Sequence, residues 1–300
     1  MPKVKISVCL TTYNGEKFIK DQLLSILGQT VLPSEIIICD DGSHDHTLSI
    51  IDNIIEGYSG QVAFRIHRNS TPLGVIKNFE HAISLASGPY FALCDQDDIW
   101  ESNKLEVQLE TVVENERRFG ESFPLLCVHD LAVILQDRKL SWPSVWNRLG
   151  DSPIIPNSHI FFTNKYYGCT MFFNGALRNI ALPFPSNIPM HDHWLALNAY
   201  CCGKILTVKE ALIRYRRHAD NLTSLSEEPR WPERLRQYFK SSFGYDYKNR
   251  EIAQDYEIYN RNRLLMPLKK RKELEKVIAV AKFNNLMRKL YFSIKYRSRS

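Results

Sequence analysis

Tyr90-Phe91-Ala92-Leu93-Cys94-Asp95-Gln96-Asp97-Asp98-Ile99-Trp100 decides how the rest of this chain is read. An apolar run with strand character ends abruptly on three carboxylates, Asp95, Asp97 and Asp98. Like charges delivered at the end of a buried strand cost energy unless a cation shares the site. Asp95 and Asp97 lie two residues apart, so in an extended segment they point the same way. Such hard oxygen ligands suit Mg²⁺ or Mn²⁺ carried with substrate phosphates. Surface turns also produce Asp-x-Asp, so the surrounding pattern has to separate the two cases.

Upstream, Lys5 to Thr12 predicts a buried strand, Asn14-Gly15 a turn and Glu16 to Leu27 a helix with its apolar residues at helical spacing. Glu35 to Cys39 reads as a second strand ending on Asp40-Asp41-Gly42-Ser43. A helix over Thr47 to Ile55, a strand over Val62 to His67 and a helix over 75–86 lead to the Gly88-Pro89 breaker. Strands that alternate with helices and deliver polar groups at their carboxyl ends predict an α/β fold. Its sheet is mostly parallel, with the site along that edge. Downstream the pattern loosens. Lys104 to Arg118 reads as a charged helix, 125–135 as a strand, 141–165 as a loop, 169–173 as a short strand and Asp192–Tyr200 as a helix.

With 300 residues, 44% of them hydrophobic, the chain can bury one large core. No run approaches the roughly 20 apolar residues of a membrane span, and the start shows no signal-peptide pattern. The seven cysteines lack zinc spacing, and their odd number predicts reduced thiols in a cytosolic chain. The net charge of +6 is uneven, because residues 226–300 hold 19 Lys/Arg against 9 Asp/Glu. That end reads as a separate region with its own partner.

Several ordered motifs narrow the function. Ser7-Val8-Cys9-Leu10-Thr11-Thr12-Tyr13-Asn14-Gly15, Gln22 to Thr30, Asp40-Asp41-Gly42-Ser43, Leu73 to Phe79 and the Asp95–Trp100 stretch together resemble a family 2 glycosyltransferase. The similarity is greatest to bacterial rhamnosyltransferase-like members. It continues through Gly168-Cys169-Thr170-Met171, His191-Asp192-His193-Trp194 and Tyr215-Arg216-Arg217-His218 to about residue 225. It implies a GT-A domain over 1–225, with a nucleotide-sugar-binding half at 1–100 and an acceptor-binding half at 101–225. A basic helical extension fills 226–300.

The implied reaction moves a hexosyl group, with inversion, from a nucleotide diphosphate (dTDP- or UDP-linked) to an acceptor hydroxyl. L-rhamnose is one candidate sugar. The acceptor is a saccharide or lipid-linked saccharide in surface polysaccharide or lipopolysaccharide synthesis. A divalent ion, Mn²⁺ or Mg²⁺, would stabilise the departing diphosphate. By motif position Asp97 is the metal ligand, and Asp95 shares the ion or holds the ribose. Tyr13 stacks on the base, Thr11 and Asp41 bind its polar edge, and Asp40 binds nearby or braces its loop. Lys77 faces the diphosphate or lies on a helix surface. Asp192 is the base, with His191 as a rival whose pKa suits neutral pH; Asp192 as a mere helix cap is the structural alternative. His218 completes the metal shell or is a loop donor, or else Arg216 and Arg217 meet phosphate. Trp142, Trp146 and Trp194 form a sugar-stacking wall or belong to the core.

In the extension, a helix from about Glu273 sets Val280, Phe283, Met287, Leu290 and Ile294 near one face. Basic residues beside that stripe suggest an anionic membrane surface rather than nucleic acid, and so a peripheral place on the cytoplasmic face of the inner membrane. A helix packed back on the domain is the plain alternative. Two other functions compete with this one. One is a homologue that binds nucleotide sugar without transfer. The other is an Asp-x-Asp phosphohydrolase, which needs its motif on the first strand.

Overall fold

A computed structural model describes residues 5–150, 158–161, 164–219, 221 and 245–281. The first half alternates as its sequence predicts: β1 (Ile6–Thr12), α1 (Ile19–Leu27), β2 (Glu35–Asp40), α2 (Thr47–Glu56), β3 (Ala63–Arg68), α3 (Val75–Leu85) and β4 (Tyr90–Cys94). Then come β5 (Ile99–Trp100), α4 (Lys104–Phe119), β6 (Leu125–Leu135), β7 (Leu140–Trp142), α5 (Val145–Leu149), β8 (Phe172–Asn174), α6 (Gly175–Ala181), α7 (His191–Cys202) and β9 (Lys204–Arg217). Two helices, α8 (Tyr245–Asn262) and α9 (Leu268–Ala281), complete the described chain.

The sheet runs β3-β2-β1-β4-β8-β6-β9-β5, with β7 on β6. β3, β2, β1 and β4 are parallel. The antiparallel strand β8 then joins β4 to β6, and β6 pairs β9 in parallel. Both faces of the central strands are covered, so β1 and β2 read as unbroken apolar runs. The period of two still sorts them. Cys9 and Ile37 join the core under α3, α6 and α7, while Val8, Leu10, Ile36 and Ile38 join the core under α1 and α4.

Differences from the sequence reading lie mainly after Trp100. The segment taken as a loop holds the end of β7, the short helix α5 and a 3₁₀ turn at Ser158–Phe161. The strand expected at 169–173 is a 3₁₀ turn at Gly168–Thr170 followed by β8. β9 carried no clear signal, because its register against β6 shifts twice and breaks the alternation of buried and exposed residues. The last described helix begins at Leu268, earlier than Glu273.

α8 and α9 pack on the body of the molecule. Ile258, Leu274 and Val277 are fully buried in the core shared with α7. Asn262 Nδ2 donates to Asn198 Oδ1 at 2.7 Å, and Tyr200 Oη donates to Glu273 at 3.0 Å. The stripe expected from Val280 to Ile294 lies outside the residues whose side chains are described. Among the described residues no helix is long and apolar enough to cross a membrane. All seven cysteines are free and buried.

Candidate active site

β1, β2 and β4 end at one edge of the sheet, as parallel pairing in register requires: Thr12 lies beside Asp40, and Leu10 beside Cys94. Thr11 is buried at the end of β1, and the next turn lifts the Tyr13 ring to 50% exposure. Gln96 fixes that turn from across the edge. Its Oε1 accepts from the Tyr13 N–H at 2.8 Å, and its Nε2 donates to the Tyr13 carbonyl at 2.9 Å. The fit depends on Gly15, where a Cβ would stand 2.2 Å from Gln96 Oε1.

Asp40 and Asp41 serve different loops. Asp40 is buried and accepts from Thr12 Oγ1, from the Ser43 hydroxyl and from the N–H groups of Gly42 and Ser43. Gly42 takes φ +87° in this turn, a conformation that favours glycine. Asp41 turns the other way, accepting from Asn69 Nδ2 and from the N–H groups of Leu73 and Gly74. A cavity of about 320 Å³ adjoins this pair, lined by Gly42, His44, Arg68, Asn69, Ser70 and Pro72. Lys77 is engaged away from the edge, donating to Glu80 Oε2 at 2.5 Å and to the Phe184 carbonyl at 3.2 Å.

The three carboxylates after β4 have separate surroundings. Asp98 is fully buried; its Oδ1 accepts from the Arg216 N–H at 2.9 Å, and its Oδ2 has no partner. Burial, and then the charges of Asp97 and Asp95, push its pKa well up. Burial first, and then Asp97 and Asp192, raise Asp95 to about 7. Asp97 Oδ2 meets His218 Nε2 at 2.9 Å, with Asn221 Nδ2 at 3.5 Å. Expected ligands Asp95, Asp97 and His218 therefore fall into two neighbouring groups. Asp97 stands with His218, while Asp95, Asp98 and Cys169 bring ligand atoms within 4.8 Å of one another. Burial keeps the Cys169 thiol well above its usual pKa, so oxygen is the donor at neutral pH. Crowded carboxylates with one buried, unpartnered oxygen suit a divalent cation, which would relieve their repulsion.

Asp192 lies in the first turn of α7, whose N-cap is Met190, so it does not cap a helix starting at His193. Its Oδ1 accepts the His193 N–H at 2.6 Å. Burial raises its pKa to about 7 against hydrogen bonds from His193, Asn164 and Gly168. His191 does not meet the expectation of a base suited to neutral pH. Its ring is stacked on Phe79 at 4.1 Å, and burial pushes its pKa down to about 3.

Burial decides two further readings, for the core alternative at the tryptophans and against phosphate contact at Arg216. Trp142, Trp146 and Trp194 are buried core residues, and Trp194 Nε1 donates to the Ala181 carbonyl at 2.9 Å. Arg216 does not face phosphate: it is buried, donating to the carbonyls of Asp97 and Gln136 and pairing with Asp21 at 3.0 Å. Arg217 lies over the Trp142 ring. Sequence reasoning missed Gln96 and Asn221 altogether. Gln96 sits inside the Asp-x-Asp motif, yet nothing in the sequence links it to Tyr13, 83 positions away.

The family described as "Glycosyl transferase family 2" matches residues 7–119. An uncharacterised protein of Mycobacterium tuberculosis is 29% identical over 72% of this chain, and the chain spans 60% of that relative's length. An Escherichia coli UDP-Glc:alpha-D-GlcNAc-diphosphoundecaprenol beta-1,3-glucosyltransferase is 32% identical over 38% of this chain and 43% of its own. Staphylococcus aureus TarS, solved with UDP-GlcNAc, superposes with TM-score 0.59 at 18% identity, covering 94% of this chain and 72% of that one. A Pyrobaculum calidifontis mannosyltransferase, solved with GDP-Man and Mn²⁺, superposes with TM-score 0.56 at 14% identity, covering 98% and 79%. Such low identities speak to architecture alone. The chain thus has the GT-A fold, and its residues 7–119 are similar to the family 2 glycosyltransferases.

Proposed function

We propose that this chain is an inverting, metal-dependent glycosyltransferase that moves a sugar from a nucleoside diphosphate to an acceptor hydroxyl. One observation carries the reading: the Gly168–Thr170 turn joins the two groups, with Gly168 bonded through its backbone to Asp192 and the next residue, Cys169, bringing its sulfur within 4.8 Å of ligand oxygens of Asp95 and Asp98. A proton acceptor therefore adjoins the carboxylates that would serve the donor. The exposed Tyr13 ring offers a platform for the base, and Thr11 and Asp41 flank it on neighbouring strand ends. Asp97 and His218, with Asp95 beside them, would hold Mn²⁺ or Mg²⁺. Bound there, the ion would neutralise the charge that develops on the departing diphosphate.

Asp192 carries the proton transfer. Its carboxylate takes the proton of the acceptor hydroxyl as that oxygen bonds to the anomeric carbon. The bond from that carbon to the diphosphate oxygen breaks on the opposite face, which inverts the centre. A pKa of about 7 keeps Asp192 substantially ionised near neutral pH and still basic enough to accept a proton. His191, stacked in the core, takes no part in this step. The donor is UDP- or dTDP-linked, with L-rhamnose among the candidates. Its acceptor is a saccharide or lipid-linked saccharide of surface polysaccharide, a class suggested by the name of the Escherichia coli relative.

Titrating the purified chain with UDP- and dTDP-sugars, with and without Mn²⁺, tests the proposal. Mn²⁺-dependent nucleotide binding is expected, followed by sugar transfer to undecaprenyl diphosphate-linked saccharides. Absence of metal-dependent binding refutes the metal role. Binding without transfer to any acceptor makes the chain a non-catalytic homologue.

A further inference from the structure

The turn between α8 and α9 presents three leucines to solvent: Leu264 is 87% exposed, Leu265 57% and Leu268 55%. Their exposure is not that of a frayed end. Met266, between them, is buried in the core, and its N–H and that of Leu265 both donate to the Asn262 carbonyl. Asn262 is itself tied to Asn198 on α7, and Arg261 Nη1 donates to the Pro183 carbonyl at 2.6 Å. A firmly seated turn therefore holds apolar side chains outward. Residues 261–272 carry six Lys/Arg and no Asp/Glu. Arg263, Lys269 and Lys272 are exposed, and among the described residues none of them has an ion-pair partner.

We infer that the α8–α9 turn is a membrane-contact surface, with its leucines entering the acyl boundary of a bilayer and its cations meeting anionic headgroups. An apolar tip flanked in sequence by Arg263, Lys269 and Lys272 matches the layering of that interface, while Arg261, Lys270 and Arg271 pair with Glu257, Glu273 and Glu275. Nucleic acid fits less well, because residues 263–268 hold no aromatic ring for base stacking. α7 places this contact relative to the site. Asp192 lies in its first turn, whereas the α8–α9 turn is anchored at Asn198, roughly 9 Å further along the helix. The inference stands on the turn itself and does not require the sugar-transfer reading.

Flotation of the full chain with vesicles of equal parts phosphatidylglycerol and phosphatidylcholine tests it, with pure phosphatidylcholine as the control. Binding is expected on the anionic vesicles and should weaken as salt is added. Lys269→Gln with Lys272→Gln should lower the vesicle partition coefficient about 25-fold, near fivefold for each cation removed. Leu264→Ser with Leu265→Ser should lower it on the order of tenfold or more. All four positions are exposed, so the thermal midpoint should not move. Separately, the indole in Leu264→Trp should be quenched by brominated lipids. Absence of binding to anionic vesicles, binding untouched by the leucine changes, or an unquenched indole would each overturn the inference. So would loss, in these variants, of binding to a single-stranded RNA when vesicles are not bound. Transfer to a water-soluble acceptor should persist in every variant, so failure here and failure of the catalytic reading stay separate.

Discussion

Asp192→Asn gives the most demanding check on the catalytic reading, because stability and activity should move apart. The substitution keeps the shape of the side chain and removes its charge. Burial has raised Asp192 from an ordinary 3.8 to about 7. That gap of about three pKa units corresponds to roughly 4 kcal/mol. The folded state binds the proton more tightly than the unfolded chain, so this stability is present below pH 3.8 and is lost as pH rises through 7. An asparagine never bears that cost at pH 8. Against the gain stand the N–H groups of His193 and Gly168 and the Asn164 side chain. One carboxamide oxygen cannot serve them all, a loss of about 1–3 kcal/mol. The variant should therefore melt no lower than the parent at pH 8, and its melting temperature should depend less on pH between 4 and 7. Donor affinity by calorimetry should hold, while single-turnover transfer falls by about 10²–10⁴-fold, the usual worth of a general base. A variant that retains transfer within about threefold, or one that loses donor binding, refutes the assignment of Asp192 as base.

Other expectations follow from neighbouring residues. Transfer should fall about tenfold per pH unit below 7 as Asp192 gains its proton, and level off above it; a profile flat from pH 5 to 8 would contradict this. Gln96→Ala removes two hydrogen bonds to the Tyr13 backbone, so nucleotide affinity by calorimetry should drop about 5–30-fold. Gly15→Ala, which displaces Gln96, should copy that loss, and normal affinity in both would show that the Tyr13 turn needs no such support. Arg216→Met leaves two carbonyls and part of Asp21 without a donor, although Arg138 still pairs with Asp21 at 2.5 Å. Thermal unfolding should register a loss of about 3 kcal/mol, roughly 5 °C for a chain of this length, and Arg216→Lys should recover part of it.

The first hundred residues were legible because each level of their structure agrees with the others. Apolar runs such as Ile36–Cys39 need cover on both faces, which a parallel sheet supplies, and Gly and Asp mark where the chain turns. From β6 onward that agreement weakens. β8 has three residues, too few to establish a period, and follows a 3₁₀ turn that looks like strand in sequence. β9 has fourteen residues, yet its bulges against β6 scatter the buried positions. Propensity recorded the apolar content of these segments; pairing partners far along the chain decided their form.

At the site, residue type was more legible than allegiance. A carboxylate at a strand end announces a charged edge, but which of five does what depends on neighbours brought from elsewhere. Asp98 differs from Asp97 because the β9 backbone, 118 positions on, donates to one and His218 meets the other. Asp40 and Asp41 are adjacent in sequence, yet one closes its own turn and the other holds the loop before α3. The same logic separates His191 from Asp192. Imidazole has the better intrinsic pKa for a base near pH 7, and burial exchanges the two groups' places by taking His191 down to about 3 and Asp192 up to about 7. Desolvation disfavours whichever form is charged, so one helix turn lowers a base and raises an acid together. No motif records that inversion, since it comes from the burial of both groups, with Phe79 stacked against the histidine ring. A sequence pattern can therefore deliver the right pair of residues and still leave the proton's destination to packing.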